Sequence, residues 1–83
     1  MTGKALTLYT KSPCVQCDAT KRHLKKAGIE YTEVDVSEDA GAFRFVTEKL
    51  GHTAAPVVYT DVDGEITHWS GYRPDLLNNY KEA

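Results

Sequence analysis

The chain has 83 residues, 41% of them hydrophobic and 27% charged, with a formal net charge of -2. That length fits one small domain spanning residues 1–83, and this apolar fraction argues against a disordered chain. The slight acidity offers no general attraction to nucleic acid or to an anionic membrane. No run approaches the roughly 20 apolar residues of a membrane span, and "MTGKALTLYT" lacks the apolar core of a secretory signal, so a soluble cytoplasmic protein is expected.

Residues 5–10, "ALTLYT", read as a first strand, broken by Lys11, Ser12 and Pro13. From Cys14 the period becomes helical. Val15, Ala19, Leu24 and Ala27 share one face opposite Lys21, Arg22, Lys25 and Lys26, and Gly28 is a stop signal. "IEYTEVDV", residues 29–36, alternates as a second strand. Ser37 is expected to cap a second helix, with Glu38 and Asp39 in its first turn, where the helix dipole favours negative charge. Phe43, Val46 and Leu50 form the stripe of that helix, Phe45 falls off it as a half-exposed aromatic, and Gly51 ends it. "PVVYT" is a third strand, "DVDG" a turn and "EITHW" the hairpin partner. A last short helix from about Pro74 turns Leu76, Leu77 and Tyr80 inward. The order βαβαββα predicts an α/β fold. A right-handed crossover gives a parallel pair, the closing hairpin adds antiparallel strands, and three helices flank the resulting four-stranded mixed sheet.

The only two cysteines, Cys14 and Cys17, stand in "CVQC" at the start of the first helix. A disulfide there closes too small a loop to be worth much as a staple, since loop-closure entropy grows with loop length. Positions i and i+3 share a helix face at a Cα separation of roughly 5–6 Å, which a disulfide accepts. Cys14 faces free backbone N–H groups and the positive end of the dipole, which stabilise a thiolate, and Lys11 adds to this if its ammonium folds back. Cys17, one turn inside, is expected to be buried. On this reading Cys14 attacks a partner disulfide and Cys17 resolves the mixed disulfide. Two buried structural thiols or a metal half-site are the competing readings. The metal reading needs two more ligands, and His23, expected on the outer helix face, His52 and His68 are dispersed. "KRHLKK" reads first as a solvated helix face, with an acidic partner the alternative.

"CVQC" followed by "DATKRHL", then "APVV" (Ala55 to Val58) and "WSGYRPD" (Trp69 to Asp75), resembles the NrdH-redoxin family of the thioredoxin fold superfamily. The resemblance covers nearly the whole chain. It implies a thioredoxin-like fold with no bound cofactor or metal, and a hydrogen donor to class Ib ribonucleotide reductase that thioredoxin reductase recharges with NADPH. It implies a cis-proline at Pro56 facing the cysteines, and an Ala55 backbone open to an extended partner segment. Val15, Gln16, Ser70, Gly71, Tyr72 and Arg73 are then expected to meet the partner, with Trp69 partly exposed as an aromatic anchor. The bland alternative makes "WSGYRPD" a structural strand-to-helix junction, with Gly71 in a tight turn and hydrogen bonds from Ser70 and Arg73. Pro13 lies one position later than in many relatives, which alters the setting of Lys11.

The same segments bear on the electron source. Glutathione-dependent glutaredoxins, the alternative family reading, carry Thr-Val-Pro and a Gly-Gly followed by an acidic residue that grips the glutathione amine. Here those positions read Ala54-Ala55-Pro56 and Ser70-Gly71-Tyr72-Arg73, and a guanidinium has the wrong charge for an ammonium. The partners expected are thioredoxin reductase and ribonucleotide reductase, not nucleic acid or membrane, and a monomer is expected.

Overall fold

In the computed structural model, which describes residues 3–83, the β-formers of "KALTLYT" make strand β1, Lys4–Thr10. Helix α1, Val15–Lys26, follows, then β2, Thr32–Asp35, and α2, Ala40–Arg44, which runs on into a π-helical turn, Phe45–Lys49. A hairpin of β3, Val57–Val62, and β4, Glu65–Ser70, precedes α3, Pro74–Glu82. The sheet order is β2-β1-β3-β4, with β1 parallel to β2 and antiparallel to β3. This is the mixed four-stranded sheet with three helices that the element order implied.

Strand alternation sends Leu6 and Leu8 of β1, Val58 of β3 and Trp69 of β4 to one face. There they pack with Leu24 of α1 and with Leu77 and Tyr80 of α3. The hairpin closes at Asp63 and Gly64, both at positive φ (54° and 90°), the pair of conformations a two-residue type I′ turn requires. Lys4 ties the far end of the chain to the sheet. Its ammonium donates to the carbonyls of Tyr80 (2.7 Å) and Lys81 (3.1 Å) in the last turn of α3, and lies 4.6 Å from the Tyr80 ring centroid.

Four local expectations need correction. The buried side of α1 carries Cys17, Thr20 and Leu24, whereas Val15 is 83% exposed, because nine residues at 3.6 per turn put Val15 on the side of the helix opposite Leu24. Residues 29–31 are not strand. The Ile29 N–H bonds back to Leu24 O and the Gly28 N–H to Lys25 O, a Schellman closure of α1 with Gly28 at φ 71°, and Ile29 and Tyr31 pack against the core. Ser37 does not cap α2. It turns back onto the Asp35 carboxylate, and Asp39 is the cap, accepting from the Ala42 N–H at 3.0 Å.

The fourth correction concerns the aromatics of α2. The Leu50 N–H reaches Phe45 O, five residues back, so the helical register widens. Val46 is buried, Phe43 is 51% exposed, and Phe45 packs on the sheet with its ring centroid 6.0 Å from Tyr9 and 5.7 Å from Tyr59. Burial on this face, with Tyr59 and Asp39 nearby, raises the Tyr9 phenol above its ordinary value. Phe45→Ala is therefore expected to cost about 2 kcal/mol in a urea titration, below the roughly 3–5 kcal/mol of a fully buried phenylalanine, and Phe43→Ala no more than about 0.5 kcal/mol.

Candidate active site

Cys14 is the N-cap of α1, with extended backbone dihedrals (φ -158°, ψ 107°), and its Sγ accepts the Cys17 N–H at 3.2 Å. Its carbonyl takes the Asp18 N–H at 3.1 Å. A sulfur in that position faces a backbone donor and the positive end of the helix, the arrangement that favours thiolate over thiol once the pair is reduced. The Cys14 and Cys17 sulfurs are joined as a disulfide, with the Cα atoms 5.2 Å apart. Cys14 is half-buried, while Cys17 is 1% exposed behind it. One sulfur is thus open to a partner and the other is screened. Among the described residues no cluster of three or more His, Cys, Asp or Glu has the makings of a metal site.

Two further segments meet the dithiol turn. The Ala55–Pro56 peptide is cis, as is Ser12–Pro13, and Pro56 is fully buried. The Gly71 N–H donates to Pro56 O at 2.8 Å, and the Tyr72 N–H donates to the Gln16 side-chain carbonyl at 3.0 Å. Gly71 is at φ 86°, which favours glycine there, and a Cβ added at that position would lie 3.2 Å from Gln16 Oε1 and press on that carbonyl. Gln16, Pro56 and Gly71–Tyr72 therefore form a connected seam.

The remaining residues singled out in the sequence fall around that seam. Lys11 and Pro13 are exposed beyond the end of β1, and Lys11 lines a cleft of about 90 Å³ with Tyr9, Val46, Ala55 and Val57. Val15 projects into solvent next to Cys14. Ser70 ends β4 opposite Val57. Trp69, expected to be partly exposed, is only 8% exposed, because its place on β4 opposite Val58 turns the indole into the core, where Nε1 finds no partner among the described residues. It offers no exposed anchor. Arg73 does hold the strand-to-helix junction, as the N-cap of α3 whose carbonyl takes the Leu77 N–H at 3.1 Å. Its guanidinium makes a two-pronged pair with Asp75 (3.0 and 3.2 Å), which holds the Asp75 carboxyl below the usual carboxylate range and raises Arg73.

His23 was expected on the outer face of α1 but is half-buried between helices. Asn78 Oδ1 can only accept, so His23 Nε2–H donates to it at 3.2 Å, leaving Nδ1 to accept from the Tyr72 hydroxyl at 2.9 Å. Tyr72 is thereby held at its backbone by Gln16 and at its phenol by His23. His23 and Tyr72 are 49 positions apart, so spacing gave no sign of the pair.

His52 and His68 also meet, Nε2 to Nδ1 at 2.8 Å, with one ring donating to the other. Burial and then the His68 charge lower the His52 pKa from its ordinary 6.5. A histidine held neutral in the fold stabilises it above pH 6.5, and that contribution is lost as pH falls, because the unfolded chain takes up the proton first. Chemical denaturation at stepped pH is expected to show stability declining below about pH 6.5, with a shallower decline in His52→Asn.

Comparison with known proteins agrees with this geometry. The Glutaredoxin family matches residues 6–66. The glutaredoxin-like protein NrdH of Escherichia coli K12 is 37% identical over 81 residues, covering 94% of this chain and 90% of that one. The Gene 56 protein of Mycobacterium phage L5 is 38% identical over 73 residues, covering 88% of this chain and 68% of that one. Among solved structures, the glutaredoxin-like NrdH-redoxin from Escherichia coli, described as having a thioredoxin-like activity profile, superposes with a TM-score of 0.77 at 35% identity. That alignment covers 90% of this chain and 92% of that one.

Proposed function

Because the chain belongs to the glutaredoxin-like NrdH redoxins, thiol-disulfide oxidoreductases of thioredoxin-like fold, we propose that it is a cytoplasmic electron carrier acting as a monomer. In this role it donates to class Ib ribonucleotide reductase and is recharged by thioredoxin reductase at the expense of NADPH. The observation that carries the carrier chemistry is the asymmetry of the pair, with Cys14 capping α1 and half-accessible and Cys17 buried behind it. The choice of partners rests on family membership and on "WSGYRPD", where Arg73 is paired with Asp75 rather than presenting an acid to the glutathione amine.

In the reduced protein the Cys14 thiolate attacks one sulfur of the partner disulfide, forming a Cys14–partner bond and releasing a partner thiolate that takes a proton. Cys17 then gives up its proton and attacks Cys14 Sγ, forming the intramolecular disulfide and releasing the second partner thiol. Two electrons and two protons pass to the partner, and the chain ends in the oxidised form that the structure holds. Thioredoxin reductase reverses the exchange. The Ala55 backbone, which precedes β3 and lies outside its ladder, is proposed to pair with the extended partner segment while the exchange proceeds. Delivery is downhill only if this couple is the more reducing, each ~30 mV being a factor of ten in equilibrium.

Cys17→Ser is expected to trap a mixed disulfide with its target and Cys14→Ser to trap none; trapping by the second variant alone would exchange the two roles. Turnover is expected with NADPH and thioredoxin reductase, using a class Ib ribonucleotide reductase as acceptor. Turnover confined to glutathione and glutathione reductase would make the protein a glutathione-dependent glutaredoxin instead.

A further inference from the structure

We propose that Gln16 is a positioning residue for exchange with protein disulfides, acting through its side-chain carbonyl. The carbonyl holds the Gly71–Tyr72 loop against the dithiol turn, and the outward amide N–H groups are dispensable.

Gln16 lies between the two cysteines, so whatever it grips is fixed relative to the reacting sulfurs. Its own place is set from behind. The Gln16 backbone carbonyl accepts the hydroxyl of Thr20 at 2.8 Å, and Thr20 is fully buried under α1. The Gln16 side chain is exposed, yet its Oε1 takes the Tyr72 N–H at 3.0 Å. Gly71 lies so close to the same oxygen that no Cβ fits in relaxed contact, and its N–H continues the seam to Pro56 O. The loop between β4 and α3 is also held by Tyr72, whose phenol bonds to His23 and whose ring packs against the core, while the Arg73 guanidinium pairs with Asp75. Among the described residues none of these side-chain bonds reaches the dithiol turn itself. The Gln16 carbonyl is thus the direct side-chain link between the dithiol turn and this loop. A loop held in place lowers the ordering cost when a protein chain docks beside Cys14. A small disulfide that touches only the sulfurs does not need it.

The competing role for Gln16 is a direct contact from its amide N–H groups to the partner. Two near-isosteric replacements separate the roles. Gln16→Glu keeps an oxygen acceptor for the Tyr72 N–H and loses the donors, whereas Gln16→Met keeps the length and loses both. With excess dithiothreitol as reductant, kcat/KM is measured for insulin as the protein disulfide and for hydroxyethyl disulfide as the small one. The added charge of Glu acts on the Cys14 thiolate in both reactions, so the ratio of the two is the readout. The small-disulfide rate also reports that each variant is folded and that the exchange chemistry works, independently of which reductases the protein serves.

In Gln16→Met the ratio is expected to fall about 3- to 10-fold, the range of one lost hydrogen bond, through a raised KM for insulin. In Gln16→Glu it is expected to return to within about twofold of the parent. Amide exchange of Tyr72, followed by NMR, is expected to speed up in Gln16→Met and to remain slow in Gln16→Glu. An unchanged ratio in Gln16→Met, or a Gln16→Glu ratio as low as that of Gln16→Met, overturns the proposal.

Discussion

The contact on which the site depends is the Cys17 N–H aimed at Cys14 Sγ across the first turn of α1. A helix leaves its first N–H groups without backbone partners, and something must satisfy them. Here the cap is a sulfur in place of the usual hydroxyl or carboxylate oxygen. The substitution gives up a stronger cap and gains a site where negative charge on sulfur is favoured. The same geometry separates the pair. The capping residue stands half outside the helix, whereas three positions on, Cys17 shares its buried face with Thr20 and Leu24. The difference in access between the two sulfurs, and with it the proposed order of attack, therefore follows from one choice of helix start.

The sheet then brings the other components to that end. Because β3 runs antiparallel to β1, and β4 antiparallel to β3, the end of β1, the start of β3 and the end of β4 lie on one edge. The pairings Tyr9 with Val57 and Val57 with Ser70 mark that edge. The chain leaves β1 toward Cys14, arrives at β3 through Ala55–Pro56, and leaves β4 through Gly71–Tyr72. Three segments far apart in sequence converge because strand direction requires it, and the hydrogen bonds from Gly71 to Pro56 and from Tyr72 to Gln16 set their final spacing.

This division explains what the sequence made legible. Strand and helix order, the hairpin at Asp63–Gly64 and the disulfide-compatible spacing of Cys14 and Cys17 are local properties, written in periodicity and turn chemistry over a few residues. The cap at Asp39 was misassigned to Ser37 because both residues suit that role, and only the competing Asp35 carboxylate decides which is free. Phe43 was placed inward, and Phe45 on the margin, because a period of 3.6 was assumed where the chain inserts a π turn. Trp69 was placed outward on functional grounds although strand alternation puts it beside Val58 in the core. The links of Gln16 to Tyr72 and of His23 to Tyr72 and Asn78 join residues 49 to 56 positions apart, where spacing carries no signal.

The proposed electron carrier must dock accurately and yet let its partner go, two demands against which the surface around Cys14 can be weighed. Val15, 83% exposed next to the accessible sulfur, offers an apolar contact whose full burial is worth about 1.5–3 kcal/mol, enough to aid an encounter but far from a stable complex. Trp69, the side chain best suited to a strong anchor, is withheld in the core. The seam between Gln16, Pro56 and Gly71–Tyr72 is built from individually weak hydrogen bonds, which set the shape of the docking surface without adding buried interface. In the proposed exchange the strongest link between the two proteins is the transient Cys14–partner disulfide. On that proposal, release follows once Cys17 breaks this bond.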